Sequence, residues 1–353
     1  MEKYRDVLLE YEKFWERKNT ARPILNMSYV KDSAAVYRAP KSPEEEFLDI
    51  EYRYNAFKHN VQNSGYLGEG IPLFFSNYGP GCMAACLGGS FSLSRGTVWF
   101  GENPIIEDWD NPPKVIYNED NILWRSLKEM QKKCASDADV YFSITDIGGV
   151  MDVISALRGT EDLLYDLYDY PDELKEFSRK IAAAWFRAYD QQAKTLREAG
   201  VPYNTWMNIP SSKPWYPLQC DFGYMINPKH YEEFVLPDII DEVNYLDRSI
   251  YHLDGVGQLP HVDMLLDIEK LGGIQWVPGS GSEPLTDEKW FPLYRKIQDK
   301  KKNIVMNFYA DREIYGLERL VKSIDPVGVY LQIDCSSREI AEDIYEKICI
   351  WSQ

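Results

Sequence analysis

Tyr251-His-Leu-Asp-Gly255 places an imidazole and a carboxylate two residues apart, where a short β-favouring run stops. In an extended strand residues i and i+2 share a face, so His252 and Asp254 project together. A strand end whose histidine is satisfied by a neighbouring carbonyl gives the same pattern, and both readings stand at this point. The chain has four histidines, and His59, His230 and His261 fall in helical patterns with no chemistry assigned to them. Its six cysteines, at 82, 86, 134, 220, 335 and 349, form no CxxC pair, so reduced thiols are expected. Cys134 and Cys349 read as small buried hydrophobes within helices. Cys220 and Cys335 instead fall at strand ends, and Asp221 follows the first of them.

These groups need elements that bring them together. Eight β-like runs recur: Ile24 to Tyr29, Ile71 to Asn77, Val140 to Thr145, Tyr203 to Met207, Ser249 to Leu253, Gly273 to Val277, Asn303 to Phe308 and Val329 to Ile333. Helically periodic segments separate them, among them Glu161 to Gln192, Asn227 to Leu246, Pro260 to Leu271 and Asp311 to Ser323. Thr160 reads as the capping oxygen of one helix, and Asn227-Pro228 as the start of another. The alternation predicts an α/β fold, a single (β/α)8 TIM barrel over 1–353, with 1–60 as an N-terminal helical extension. No GxGxxG or GxxxxGK[ST] motif favours an open dinucleotide-binding sheet. The Gly- and aromatic-rich stretch 78–118 is too long for a simple connection and reads as an excursion over the barrel mouth. Functional groups of such barrels sit at the C-terminal strand ends. Those ends supply Asn77, Tyr78, Asp146, Trp206 to Asn208, His252, Asp254, Trp276, Asn307, Tyr309 and Cys335.

Composition narrows the partners. The chain has 353 residues, 44% hydrophobic and 27% charged, which is globular and long enough for one large core. A formal net charge of −17, spread along the chain, disfavours nucleic acid and anionic membranes, both of which demand a cationic face. No window approaches the ~18 continuous apolar residues of a membrane span, and the N-terminus opens into an amphipathic helix, so a cytoplasmic protein is expected.

Two stretches carry a family resemblance. The run from Leu157-Arg-Gly-Thr-Glu-Asp through Tyr170-Pro-Asp-Glu-Leu174 looks like a helix pattern of the uroporphyrinogen decarboxylase superfamily. Gln219-Cys-Asp-Phe-Gly223, followed by Asn227-Pro-Lys-His-Tyr-Glu-Glu-Phe-Val-Leu-Pro237, resembles that family's aspartate-bearing strand end and the helix after it. The likeness runs from about Phe74 onward and is weakest in the first sixty residues. It departs from the true decarboxylases, because Arg22-Pro23 is followed by no arginine-rich segment and the second motif reads Phe75-Ser76-Asn77.

The resemblance is closer to the zinc-dependent, corrinoid-linked methyltransferases of the superfamily. It implies a zinc site made by His252, Asp254 and Cys335, with Asp254 standing where those enzymes have a cysteine, or with Cys220 as the replacement thiol. A carboxylate in place of a thiolate donates less electron density, which raises Lewis acidity and favours activation of a methyl donor. Asp221 and Asp254 are the implied catalytic groups. Asn77, Tyr78, Asp146, Trp206, Cys220, Trp276 and Tyr309 would contact a small, flat substrate. A corrinoid would be supplied by a partner protein, and a homodimer is compatible with the sequence. Three other activities remain open: a porphyrinogen decarboxylase, a glycoside hydrolase using Asp146 with Asp254 or Asp221, and a barrel that only binds a ligand.

Overall fold

The structure is a computed structural model that describes residues 4–309 and 315–352. Its strands in chain order are β1 (Ile24–Val30), β2 (Ser64–Gly68), β3 (Leu73–Phe74), β4 (Phe91–Ser94), β5 (Thr97–Phe100), β6 (Tyr141–Phe142), β7 (Trp215–Gln219), β8 (Arg248–Asp254), β9 (Gly273–Val277), β10 (Asn303–Tyr309) and β11 (Val329–Cys335). Seven of them form one sheet in the order β2-β1-β11-β10-β9-β8-β7, parallel throughout except at β1–β2. β3 and β6 make a separate parallel pair, and β4–β5 is a hairpin. Helices intervene between the parallel strands, an arrangement compatible with an α/β barrel, although no continuous hydrogen-bonded ring is closed among the described residues. Among those residues no helix is long and apolar enough to cross a membrane.

The fourth expected strand is displaced. Tyr203–Met207 makes only an isolated bridge, Tyr203 to Ser211, and the strand is Trp215–Gln219 instead. Pro217 in its middle lowers the strand signal, because proline cannot donate to a ladder. The 203–208 segment runs across the inner side of the sheet. The Asn204 carbonyl accepts from the Ile144 N–H at 3.0 Å, Asn208 Nδ2 donates to the Ile71 carbonyl at 3.0 Å, and the Tyr330 hydroxyl donates to the Met207 carbonyl at 3.0 Å.

Helix boundaries also shift at prolines. The expected Glu161 to Gln192 helix is two, Thr160–Asp169 and Pro171–Ala199, and Asn227 to Leu246 divides into Pro228–Phe234 and Leu236–Tyr245. Asn227 caps the first of that second pair by accepting from the His230 N–H. Thr160 caps nothing; its hydroxyl lies 2.9 Å from that of Ser155, inside the helix it was expected to begin. Of the expected Asp311 to Ser323 helix, 311–314 lie outside the described residues and Leu317–Ser323 is helical.

The 78–118 stretch contains a short helix, Cys82–Cys86, and the β4–β5 hairpin. One side chain ties it down. Arg158 donates from Nε and Nη2 to the carboxylate of Asp166, at 2.7 and 3.2 Å, and from Nη1 to the carbonyls of Ile106 and Glu107, at 3.0 and 2.8 Å. Asp166 is buried, so loss of its partner strands a carboxylate away from water. Arg158→Ala should cost about 3–5 kcal/mol in urea unfolding and open the 105–107 region to proteolysis. Arg158→Lys should recover little of this, since one ammonium cannot reproduce the planar fork.

Candidate metal centre

Strand alternation sorts the groups at the sheet's C-terminal edge. Opposed residues of parallel neighbours share a face, so the pairings Gln219–His252, His252–Gln275 and Asn307–Gln332 define an inner row of polar side chains. Three hydrogen bonds link that row. Asn307 Nδ2 donates to Gln332 Oε1 at 3.0 Å, Gln275 Nε2 donates to Asn307 Oδ1 at 3.1 Å, and Gln275 Oε1 stands 2.6 Å from His252 Nδ1. With the amides oriented so, Gln275 offers an acceptor and His252 Nδ1 must carry the proton. Nε2 is then an open lone pair, facing Asp254 Oδ2 at 3.8 Å. The Trp206 ring stands edge-on to the imidazole, with centroids 4.9 Å apart.

Asp221 joins this pair from the short 3-10 turn Asp221–Met225 after β7. One donor atom each from Asp221, His252 and Asp254 lies within 4.8 Å of the others. Zinc at bond lengths of about 2.0–2.1 Å holds tetrahedral donors about 3.3 Å apart, so modest side-chain rotation would bring this set onto an ion. One nitrogen and two carboxylate oxygens suit zinc or a harder divalent metal. Gly255, at φ +84°, ends the strand directly after Asp254, and a Cβ there would stand 2.8 Å from the Tyr224 ring that packs over the turn.

Electrostatics concentrates acid here. Water reaches Asp221, yet its carboxyl is raised above the ordinary value, chiefly through desolvation by the surrounding protein; His252 draws it down and Asp254 pushes it up. Asp146 is also raised by burial, although its Oδ1 accepts from the Gly148 N–H, the Tyr216 hydroxyl and Gln219 Nε2 at 2.9, 3.2 and 3.0 Å. Asp152 accepts the Phe222 N–H at 2.8 Å, and burial followed by the Asp221 charge pushes it up to about 7.

The cysteines expected at the metal stand elsewhere. Cys335 pairs in register with Tyr29, on the face opposite Gln332 and Asp334, and packs in the hydrophobic core with Leu331 and Ile333. It is outside the Asp221–His252–Asp254 group, because one residue's offset along a strand reverses the direction of the side chain. Cys220 is buried in the same core beneath Gly223, and burial drives its thiol well above the ordinary range, which disfavours the thiolate a metal needs.

Other expected contacts divide in the same way. Tyr78 is fully buried, its hydroxyl bonded to Arg53 and Ser126, so it braces helices rather than facing the site. Asn77 is exposed and its Oδ1 accepts the Gly79 N–H at 2.9 Å, closing a turn. Trp276 and Tyr309 do line a recess beside Asp254. Gln275, Gln332 and Asp152 were absent from the sequence-derived set, while Asn307 stood in it as a strand-end residue. Gln275 and Gln332 had a readable signal, each being the one amide of its strand.

If the amide chain holds His252 in its metal-facing tautomer, Gln275→Leu should weaken zinc binding about 10–100-fold while leaving the thermal transition nearly in place. Competition against a chromophoric chelator measures this. Unchanged zinc affinity would deny the chain its orienting role.

No family model matches the sequence, and no curated protein matches it either. Among solved structures, a methyltransferase from Methanosarcina mazei shares its fold, with a TM-score of 0.58 over 96% of each chain at 11% sequence identity.

Proposed function

We propose that the protein is a metal-dependent methyltransferase that moves a methyl group from a small methylated substrate to a corrinoid carried by a partner protein. One observation carries the reading: an imidazole whose Nδ1 proton is engaged and whose Nε2 faces two carboxylates, at the C-terminal ends of parallel strands beside a recess. The likeness in fold to a methyltransferase supports it. Closure of β1, β3 and β6 to β11 into a barrel belongs to the same proposal.

When bound, zinc would supply Lewis acidity at the heteroatom bearing the methyl group, and the corrinoid would supply the methyl-accepting nucleophile. The chain's own part is positioning. His252, Asp221 and Asp254 would hold the ion, with Gln275 fixing the imidazole and the Gly255 turn fixing the second carboxylate. Trp206 backs the imidazole and keeps water from its edge. The recess beside Asp254 would hold the substrate against this centre. The donor side of methyl transfer is favoured over thiol methylation, because the centre carries two carboxylates and neither Cys220 nor Cys335. A polycarboxylate such as a porphyrinogen fits less well, since no lysine or arginine among the described residues lines the recesses at the centre.

Elemental analysis and spectroscopy test this together. Wild type and Cys335→Ala should each hold one zinc per chain, while His252→Ala and Asp221→Asn should hold little. With Co(I) corrinoid and a panel of methoxyarenes, methylamines and methylthiols, wild type should discharge the Co(I) absorbance, and His252→Ala should do so at least about 100-fold more slowly. Full zinc in both His252→Ala and Asp221→Asn would sink the assignment of the centre.

A further inference from the structure

Two recesses meet at Asp254. One, about 450 Å³, is lined by Trp276, Leu285, Asn307 and Tyr309, with Glu283 among its walls. The other, about 510 Å³, shares Pro278, Gly279, Ser280 and Ser282 with the first and reaches Asp221 and Tyr224. Aromatic and aliphatic walls with a few neutral hydroxyls and an amide are the surroundings of a flat, mostly apolar ligand.

Charge decides between kinds of arene. No lysine or arginine lines either recess among the described residues. The cation next to Glu283, Lys289, is bound to it at 2.8 Å and lies over Trp290. Asp221 and Asp254 together balance the charge of a divalent ion, so a loaded centre has no surplus positive charge for a substrate carboxylate. Among the described residues an anionic substrate would enter an acidic recess without a partner, and burying an unpaired charge is costly.

Resting on the methyl-transfer reading, we infer that the substrate is an uncharged methoxylated arene and that the recess rejects the carboxylated analogues. The paired probes 4-methoxybenzyl alcohol and 4-methoxybenzoate differ chiefly in that charge. Equilibrium dialysis of each against the zinc-loaded full chain, with no corrinoid present, should show the alcohol binding about tenfold or more tightly, one like-charge penalty's worth. Glu283→Gln should release Lys289 and narrow the ratio. Benzoate binding as tightly as the alcohol, or neither binding at millimolar concentration, overturns the inference. So does benzoate binding that is lost in Arg312→Ala, a residue outside the described set, because a cation would then serve the recess. Selective binding of the alcohol with no methyl transfer to added corrinoid would leave the inference standing and remove the proposed activity alone.

Discussion

The hydrogen bond between Gln275 and His252 is the constraint on which the centre depends, because it decides which ring nitrogen is open. It does not act alone. Gln275 is held by Asn307, and Asn307 by Gln332, so the imidazole's orientation is referred back across four strands to β11. Amides suit this task, since each donates at one atom and accepts at the other and can pass direction along a row. A carboxylate at 275 would orient the ring equally well, but it would add another negative charge to a region that already has too many.

That excess is the second organising fact. Asp221, Asp254, Asp146 and Asp152 converge on one end of the sheet, and burial raises Asp146, Asp152 and Asp221 above ordinary carboxylates. Fold stability alone gives no reason to collect acids where no arginine or lysine among the described residues is bonded to them. Asp146 is relieved by three neutral donors, and Asp152 by backbone N–H groups at the start of the turn that carries Asp221. Among the described residues Asp221 and Asp254 have no comparable partners, and they lie beside an open imidazole nitrogen. A divalent cation would relieve both, and removing it should leave them repelling one another.

The insertion at 78–118 closes another side of this chemistry. Its hairpin, with Trp99 and Phe100, walls a recess that also touches Asp152 and Asp221, and Arg158 fastens the segment behind the hairpin to the helix carrying Asp166. One guanidinium thus satisfies two carbonyls and a buried carboxylate at once. The hairpin's aromatics thus flank the centre on one side and the Trp276-lined recess on the other.

The sequence by itself determined the alternation of strand and helix, the extended strand that brings His252 and Asp254 to one face, and the tilt of composition against nucleic acid. These are local properties, set by periodicity of two and by charge content, and they survive without knowledge of the partners of each strand. Tertiary structure decided the third member of the centre. Asp221 was visible as a candidate beside Cys220, but only the turn after β7 separates the two, sending the carboxylate to the rim and the thiol into the core. Cys335 lies apart from these three for the same reason, since a resemblance can match a position in the chain while a one-residue difference in register turns its side chain to the other face. The strand at Trp215–Gln219 was hidden by Pro217, and Tyr203–Met207 looked like a strand because its residues favour one. What holds 203–208 instead is a set of bonds to residues 60 to 137 positions away, at Ile71, Ile144 and Tyr330, and no local propensity records those.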